Sequence, residues 1–521
     1  MDLDRTGLRI SERAAMKCGP VGTGRYLIAI LVASSFLFEE RPVGAFRAQM
    51  AEIPGEIQEL GTEDLDGDGR REIFVAVNEI RGMAVERYLQ VFAGPENPEA
   101  AGLVRMATWK VHPEAVFWDF GPAVKGSADR RSLYFLAHGG LWSLPRGGAG
   151  IGDPICEVPE SLLVATAQED GFPSLDFIRD WDGDGNEEAM LPLGRTAQFH
   201  RWASPGSWQL SDVAEVSPFS VYNNNIVFGL KVGSYQYLTV LFYPLVEPAD
   251  LNRDGRKDLL VLRDGKGLPF FRGAEGKLDQ QGEPWDLDIR SAEEKRRHTA
   301  SLSYRVADLN RDGCADVVVH KVGVKFADWD SETVVFLGRP DGLPGREPDL
   351  RFPSRGLLSG VSVEDLDGDG FPDMNLWSVR MGLWPIIEIL LRRVVHLESS
   401  YYYGLWPPGF AEEPEARRGF EFRIDTERPD LFSGLVPSTE GDFDGDGLKD
   451  MVAKSGDDEL GIYLGMTRRG FSSSPWESVK DKGVAHVNYV RAEDLDGDGL
   501  CDILAYEVHK GSSVLHAWTR R

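Results

Sequence analysis

Short runs of strand-forming residues recur along the chain, and each follows a cluster of aspartates and glycines. Typical runs are FVAV (74–77), LLVL (259–262) and VVV (317–319), which consist of β-branched or large apolar residues. Runs of this length, bounded by Gly, Asp and Asn, predict short strands rather than helices. The pattern therefore predicts an all-β fold built from many short strands.

The acidic cluster is a nine-residue motif that occurs seven times. Positions 1, 3 and 5 are Asp or Asn, position 6 is Gly, and position 9 is Asp or Glu. Position 2 is Leu, Trp or Phe, and a predicted strand follows position 9. The copies are DLDGDGRRE (64–72), DWDGDGNEE (180–188), DLNRDGRKD (250–258), DLNRDGCAD (308–316), DLDGDGFPD (365–373), DFDGDGLKD (442–450) and DLDGDGLCD (494–502).

These residue types are those of a calcium-binding loop. Calcium takes oxygen ligands at about 2.3–2.6 Å, and alternating side chains of a tight turn can point at one centre. Glycine at position 6 permits the positive φ that bends the loop back on itself. Position 7 is expected to bind through its backbone carbonyl, and the acid at position 9 closes the shell. Magnesium prefers a smaller octahedron that keeps several waters, so this many protein oxygens favour calcium.

The seven copies predict about seven Ca²⁺ per chain, each held by positions 1, 3, 5, 7 and 9 of one copy. The predicted metal ligands are Asp64, Asp66, Asp68, Arg70, Glu72; Asp180, Asp182, Asp184, Asn186, Glu188; Asp250, Asn252, Asp254, Arg256, Asp258; Asp308, Asn310, Asp312, Cys314, Asp316; Asp365, Asp367, Asp369, Phe371, Asp373; Asp442, Asp444, Asp446, Leu448, Asp450; and Asp494, Asp496, Asp498, Leu500, Asp502.

An EF-hand begins with similar positions but needs Glu at position 12 and a helix on each side. Here position 12 is never acidic, and strands are predicted where the EF-hand has helices. The residues at position 12 are Val75, Leu191, Val261, Val319, Leu376, Ala453 and Ala505. The alternative that needs no metal is a set of acidic β-turns.

The strand–loop–strand units resemble the FG-GAP/VCBS repeat family, whose best-known members form the propeller head of integrin α subunits. The resemblance covers roughly residues 50–521 and implies a calcium-binding β-propeller. The strand after the loop reads FVAVN (74–78) or LLVLR (259–263), without the Gly-Ala-Pro that gave FG-GAP its name. The resemblance therefore implies calcium binding more directly than it implies an integrin-like ligand.

The spacing of the copies gives the number of units. Apart from a first gap of 116 residues, the copies begin 52 to 77 residues apart, which fits four strands per propeller blade. The long gap predicts a degenerate unit at 116–147, with a strand ending in Asp119, then SLYFLA (132–137) and GLWSLP (140–145). The sequence thus predicts eight blades, seven of them with a calcium loop.

The ends of the chain predict how the ring closes. After the last motif only two strands follow, DILAYEV (502–508) and SSVLHAWT (512–519), so the final blade lacks its fourth strand. The segment AFRAQMAEI (45–53) is predicted to supply it. Closure of this kind hides sheet edges that would otherwise pair with other chains.

The longest repeat after the first gap contains a predicted helical insertion. In residues 383–397, the apolar side chains of Ile386, Leu390, Val394 and Leu397 recur at helical spacing. The helix would lie between the second and third strands of its blade, either bracing the ring or binding a partner.

An aromatic segment, ESSYYYGLWPPGF (398–410), follows this insertion. Exposed aromatic rings stack on sugars and form binding hot spots. Tyr401, Tyr403 and Trp406 therefore form either a lectin-like patch or a strand and turn whose rings are buried between blades.

Composition agrees with a metal-rich protein that does not bind nucleic acid. The net charge is −27, but at positions 1, 3, 5 and 9 five motifs contribute four acids each and two contribute three, which makes 26 of the 84 acidic residues. No basic stripe is present to neutralise phosphates. Cys156, Cys314 and Cys501 are an odd number, two of them within the motifs, so disulfides are not expected to form the framework.

The N-terminal region contains an apolar run, RYLIAILVASSFLF (25–38), that is short for a membrane span. Residues 1–45 are predicted to be a signal peptide, cleaved after Val43-Gly44-Ala45, with a true start at Met16 that would give a short basic lead. The expected location is secreted, periplasmic or at the cell surface, where calcium is abundant. The alternative is an uncleaved single anchor; several membrane spans are not expected.

Catalytic motifs are missing from the sequence. It contains no nucleophile elbow, zinc HExxH, P-loop or Rossmann glycine set. The nine histidines are scattered, and His320 and His509 are expected to be structural. The predicted function is a binding or adhesion module for a protein or glycan ligand, with structural calcium and no chemistry of its own. The alternative is a glycan-active protein, either a lectin or a polysaccharide lyase of the rhamnogalacturonan type.

Export can be tested directly on the mature protein. N-terminal sequencing of secreted material should begin after residue 45, because the apolar run and the small residues at 43–45 have the form of a signal peptide. Material that begins at Met1 or Met16 would contradict the prediction of cleavage.

Overall fold

Eight antiparallel sheets of four or five strands follow one another along the chain. Each sheet pairs its strands in sequence order, with two exceptions: Trp285–Asp286 pairs with Lys266–Arg272, and the last sheet also takes up the first strand of the described chain. The computed structural model describes residues 46–520 apart from 83, 96–101, 125–128, 148–149, 165–170, 224–237, 326–327, 343, 355–356, 380–390, 408, 425–431, 434–436, 457, 469 and 488. The fold is an all-β, eight-bladed propeller, as the sequence predicted.

The blades are numbered in chain order from the first complete sheet. Blades 1 to 4 consist of Glu56–Glu63, Glu72–Arg81, Ala84–Phe92 and Arg105–Lys110; Ala115–Pro122, Arg131–Ala137, Gly140–Leu144 and Ile155–Pro159; Ile178–Arg179, Glu188–Leu193, Thr196–Ser204 and Ser207–Glu215; and Leu245–Ala249, Asp258–Arg263, Lys266–Arg272, Leu278–Gln281 and Trp285–Asp286. Blades 5 to 8 consist of Ala300–Ala307, Asp316–Lys325, Asp328–Phe336 and Leu350–Ser354; Leu357–Glu364, Asp373–Val379, Val394–Tyr402, Ala416–Ile424 and Phe432–Ser433; Ser438–Gly441, Asp450–Gly456, Glu459–Tyr463 and Glu477–Lys480; and Tyr489–Glu493, Asp502–His509, Ser512–Arg520 and Phe46–Pro54.

Shorter elements lie in the connections between strands, both within blades and between them. Three small hairpins pair Arg146–Gly147 with Gly150–Ile151, Phe219–Asn223 with Leu238–Phe242, and Gly465–Met466 with Gly470–Phe471. An α-helix, Ala292–Arg297, has Ser291 as its N-cap. A 3-10 helix spans Lys482–His486.

The ring closes as predicted. Phe46–Pro54 pairs antiparallel with Ser512–Arg520 over its full length and becomes the fourth strand of blade 8. First strands of neighbouring blades contact each other between blades 2 and 3, 4 and 5, 5 and 6, and 7 and 8. These contacts place the first strands nearest the axis of the ring.

A separate apolar core fills each of the eight interfaces between neighbouring blades. Position 2 of every acidic motif belongs to one of these cores, which explains why it is always large and apolar. Burial of such a side chain contributes about 1.5–3 kcal/mol to the free energy of unfolding. The position-2 residues, all buried, are Leu65, Trp181, Leu251, Leu309, Leu366, Phe443 and Leu495.

The predicted insertion lies between the second and third strands of blade 6, but part of its predicted helix is wrong. Val394–Leu397 belong to the strand Val394–Tyr402, in which Val395 and Leu397 pair with Phe422 and Phe420. Pairing with Ala416–Ile424, and at Leu397 also with Val379, outweighs the helical spacing there. Residues 391–392 are helical, and 380–390 lie outside the described residues, as does the predicted signal peptide.

The aromatic segment is part of the core and not a surface patch. Tyr401 and Tyr403 are each 2% exposed and pack in the core between blades 6 and 7. Trp406 packs against Phe410 at the edge of the core between blades 5 and 6. Of the two alternatives for this segment, burial between blades is confirmed and the lectin-like patch is wrong.

Blade 2 is the predicted degenerate blade, and Asp119 joins it to blade 3. Its first strand continues past Asp119 to Pro122. The Asp119 carboxylate accepts hydrogen bonds from the backbone N–H groups of Phe177 and Ile178, both at 2.7 Å. Burial raises the pKa of Asp119 to about 7, with a further contribution from Asp176. A partly buried carboxylate thus holds two blades together without an acidic loop.

The Asp119 contact predicts a pH dependence of stability. Its folded pKa of about 7 exceeds the unfolded value of about 3.9, so the wild type loses stability as pH rises between those values. Asp119→Asn does not titrate. The melting temperature of the wild type relative to Asp119→Asn should therefore fall between pH 5 and about 7 and stay level above. Parallel melting curves across this range would contradict the assignment.

Candidate metal centres

The seven acidic loops lie at one end of the ring. Each loop joins the first strand of its blade to the second, in blades 1 and 3 to 8. Because first strands run in the same direction around the axis, all of these connections emerge on one side, here called the loop face. The motif therefore produces a circle of carboxylates rather than one site.

Each loop folds around the carboxylate of its position-1 residue. In all seven loops this side chain accepts a hydrogen bond from the backbone N–H of the position-6 glycine, at 2.8–3.2 Å. These glycines have φ between 81° and 92°, a conformation that L side chains rarely adopt. The predicted role of glycine at position 6 is confirmed.

Position 9 has a second role that the sequence did not reveal. Its carboxylate accepts a hydrogen bond from the backbone N–H of position 2 in every loop, at 2.7–3.1 Å. In blades 4 to 8 its other oxygen accepts from a backbone N–H at the end of the third strand, at 2.7–2.8 Å. Those donors are Arg272, Gly338, Gly404, Gly465 and Arg520. The acid thus ties the loop to the third strand of its blade.

The position-9 acids are buried, and in blades 4 to 8 this burial raises the pKa of the carboxyl group. Burial raises the pKa of Asp258 and Asp450 to about 6, and that of Asp316, Asp373 and Asp502 to about 7, with neighbouring carboxylates adding to the shift. A bound cation favours the ionised form of a carboxylate. These groups are therefore arranged to be charged when a cation is near.

Position 5 orders the turn through position 7. In every loop the position-5 side chain accepts a hydrogen bond from the backbone N–H of position 7, at 2.8–3.0 Å. This bond leaves the position-7 carbonyl available, so its part in metal binding stays a prediction for Arg70, Asn186, Arg256, Cys314, Phe371, Leu448 and Leu500.

Carboxylate oxygens of three acids converge within 4.8 Å of one another in five of the loops. In blades 4 and 5, position 3 is Asn252 or Asn310, whose neutral amide oxygen replaces a carboxylate. Position 9 joins the cluster in four of the five loops. The converging acids are Asp64, Asp66 and Asp68; Asp180, Asp182 and Glu188; Asp365, Asp367 and Asp373; Asp442, Asp444 and Asp450; and Asp494, Asp496 and Asp502.

The blade 6 loop supplies the clearest test of fit for a cation. Asp365 Oδ1 and both carboxylate oxygens of Asp367 are buried without a hydrogen-bond partner. The nearest cationic atom in an ion pair with Asp367 is Arg468 Nε, 3.9 Å away. Buried carboxylate oxygens are costly unless paired or bound to a metal. Asp365, Asp367 and Asp373 therefore fit a hard divalent cation such as Ca²⁺.

The blade 3 loop differs because an arginine lies among its acids. Arg201 forms ion pairs with Asp182, with Asp184 at 2.9 Å and with Glu188 at 3.1 Å. No copy of the motif contains this residue, so motif reading alone could not find it.

Backbone hydrogen bonds connect neighbouring loops around the loop face. In four interfaces, position 8 of one loop donates its N–H to a carbonyl at position 1 or 2 of the preceding loop. In a fifth, the first residue of the second strand of blade 2 donates to position 2 of the blade 1 loop. All five bonds are 2.7–3.1 Å long. The pairs are Arg71 to Leu495, Arg131 to Leu65, Ala315 to Asp250, Lys449 to Leu366 and Cys501 to Asp442. The order of one loop therefore supports the order of the next.

A cavity of about 340 Å³ opens beside the axis between blades 8, 1 and 2. Its lining includes Arg71, Asp119, Asp176, Arg491 and Glu493. Both signs of charge converge there, as in sites that orient a polar ligand.

Two other predictions concern residues outside the loops. His320 is buried and hydrogen-bonds Thr333 at 2.8 Å and Ser359 at 3.0 Å, which confirms a structural role. His509 lies 3.2 Å from Glu507. The three cysteines among the described residues are free.

Comparison with known proteins identifies the repeat. Residues 250–319, which contain the loops of blades 4 and 5, match the family model of the FG-GAP-like repeat. The resemblance predicted from the sequence is confirmed for this segment. A search of curated protein sequences gives no match. No helix among the described residues has the length and apolar character needed to cross a membrane.

Several solved structures are similar at low identity. A lectin from Agrocybe aegerita that recognises non-reducing terminal N-acetylglucosamine is 15% identical, with 71% of this chain and 86% of the lectin covered and a TM-score of 0.40. The Dos1 propeller is 7% identical, with 91% and 96% covered and a TM-score of 0.37. The WD40 domain of SCAP from fission yeast is 9% identical, with 91% and 95% covered and a TM-score of 0.31.

The blade 6 loop can be tested by one isosteric substitution. With calcium in excess, Asp367→Asn should bind one Ca²⁺ fewer and melt at a lower temperature, because a site at hundredfold excess over Kd stabilises by roughly 2.7 kcal/mol. In EDTA the variant should melt no lower than the wild type, since one repelling charge is gone. Metal analysis and thermal melts measure both effects.

The matched control is Asp286→Asn, an exposed acid outside the loops that pairs with Lys266. It should leave the calcium count unchanged. An unchanged count for Asp367→Asn would contradict the assignment of this loop as a metal site.

Proposed function

We propose that the chain is an exported, calcium-binding β-propeller that acts as a binding or adhesion module for a protein or glycan ligand. The observation that carries the calcium assignment is the set of buried carboxylate oxygens of Asp365 and Asp367 that lack a hydrogen-bond partner, in a loop that recurs around the ring. The FG-GAP-like repeat at 250–319 and the propeller fold support it.

Calcium in this proposal is structural. Each loop joins two strands of one blade, and its position-9 acid is hydrogen-bonded to the loop and, in blades 4 to 8, to the third strand. A bound Ca²⁺ would be held by the carboxylates at positions 1, 3 and 9 and would neutralise their mutual repulsion. The loop side chains would thereby be committed to the metal, which leaves them unsuited to general acid–base catalysis.

The ligand is proposed to bind at the cavity beside the axis on the loop face. Arg71 is about half exposed there and lies 3.9 Å from Glu493, so its guanidinium is available to a polar group of a ligand. Cavities with a few convergent polar groups are the usual sites for ligands. Calcium in the adjacent loops of blades 8 and 1 would hold this cavity in shape.

The structural role of calcium predicts a large effect of chelation. EDTA should lower the melting temperature sharply. Each site at hundredfold excess of calcium adds about 2.7 kcal/mol to the free energy of unfolding, and a domain usually has only about 5–15 kcal/mol in total. Addition of Ca²⁺ after EDTA should restore it. Identical melting curves with EDTA and with calcium would contradict structural calcium.

Ligand binding is tested by glycan and protein arrays, with and without calcium. The wild type should bind a ligand class without turnover, Arg71→Gln should weaken that binding, and Arg351→Gln should not. Arg351 is a matched control because it is a half-exposed arginine paired with Glu332 on the outer strand of blade 5. A rise in absorbance from unsaturated uronate products would instead identify a polysaccharide lyase.

A further inference from the structure

Arg201 occupies a place that the other blades with an acidic loop do not fill with a basic residue. In blade 3 it pairs across the sheet with Glu188, the position-9 acid. In the other blades with an acidic loop, the pairing between the second and third strands begins one residue after position 9. If that pairing is extended by one residue, position 9 lies opposite a residue without positive charge. The residues in that place are Ala93, Phe271, Leu337, Tyr403, Leu464 and Thr519.

Blade 3 also differs from blades 4 to 8 in the hydrogen bonds that position 9 accepts. Where blades 4 to 8 donate a third-strand N–H to position 9, the equivalent N–H, that of Trp202, donates to the carbonyl of Glu187 at 3.1 Å. The free oxygen of Glu188 instead accepts from Arg201 Nε at 3.1 Å. Arg201 thus replaces a backbone donor and brings a full positive charge to the centre of the loop.

A second cation reaches the same loop from blade 4. Lys257 Nζ lies 3.7 Å from Asp180 Oδ2 and donates to the Asp180 carbonyl at 3.1 Å. Arg201 contacts positions 3, 5 and 9, and Lys257 contacts position 1. Together the two side chains bring two positive charges to all four acids, which is the charge that Ca²⁺ would bring.

In the ion pairs given for the described residues, other arginines near the loops contact fewer acids. Arg70 and Arg256 pair with the position-5 acid of their own loops, and Arg468 pairs with Asp369 at 3.2 Å and Asp367 at 3.9 Å. Among the described ion pairs, Arg201 is the side chain that contacts positions 3, 5 and 9 together. The side chains of Glu188 and Asp182 are only 1% and 6% exposed. Arg201 is therefore an ion-pair partner of two acids whose side chains are buried.

We propose that Arg201, assisted by Lys257, is the built-in cation of the blade 3 loop, which folds without calcium. The inference rests on the proposed calcium function of the other loops. The motif alone predicts seven Ca²⁺ per chain. This proposal predicts six, because the acids of the blade 3 loop are already paired with Arg201 and Lys257.

The test measures bound calcium per chain after dialysis of the full-length protein against excess Ca²⁺. The wild type should bind six, Asp182→Asn should still bind six, and Asp367→Asn should bind five. Arg201→Gln should bind seven, since the four acids then lack their guanidinium, and Arg201→Gln combined with Asp182→Asn should return to six.

Melting temperatures give a second readout. Arg201→Gln should melt lower than the wild type in EDTA and recover in calcium by more than the wild type does. If Arg201→Gln fails to fold, the comparison of wild type with Asp182→Asn still decides the question.

The outcomes separate the inference from the proposed function. A wild type with seven Ca²⁺ that falls to six in Asp182→Asn overturns the inference and leaves the calcium function standing. A folded Arg201→Gln that gains no Ca²⁺ also overturns it. A wild type that binds no Ca²⁺ overturns the proposed function itself.

Discussion

Closely spaced negative charge on the loop face is the constraint on which the rest of the structure depends. Three carboxylates approach within 4.8 Å in five of the loops. At about 4 Å each like-charged pair costs about 1 kcal/mol in water and more near a protein surface. A cation near each loop would relieve this repulsion; in our proposals it is a metal ion in six loops and the side chains of Arg201 and Lys257 in blade 3.

Residues of the acidic loops also form contacts that hold the blades together. Position 9 binds the loop backbone and the third strand, and position 2 fills the apolar core between two blades. Because neighbouring loops are also joined by backbone hydrogen bonds, neutralising one loop supports the next. Neighbouring blades are thus joined through their loops, and the ring is closed by the pairing of Phe46–Pro54 with Ser512–Arg520.

Much of this could be predicted from the sequence because the motif repeats and its strands are short. Eight blades, the degenerate blade and the closing strand followed from spacing and apolar runs. The helix at 383–397 was wrong at Val394–Leu397 because β-branched residues with helical spacing also suit a strand that is paired on each side. The role of Arg201 could not be predicted, since it lies outside the motif and meets Glu188 only through strand pairing.

Hydrogen–deuterium exchange with calcium and with EDTA tests the central claim most directly. If cations hold the loops together, the amides of Gly370, Gly447 and Gly499, and those of Leu366, Phe443 and Leu495, should exchange much faster after chelation. The amides of Gly185 and Trp181 in blade 3 should change less, because Arg201 remains in place. Exchange that is unchanged by chelation in every loop would contradict the account.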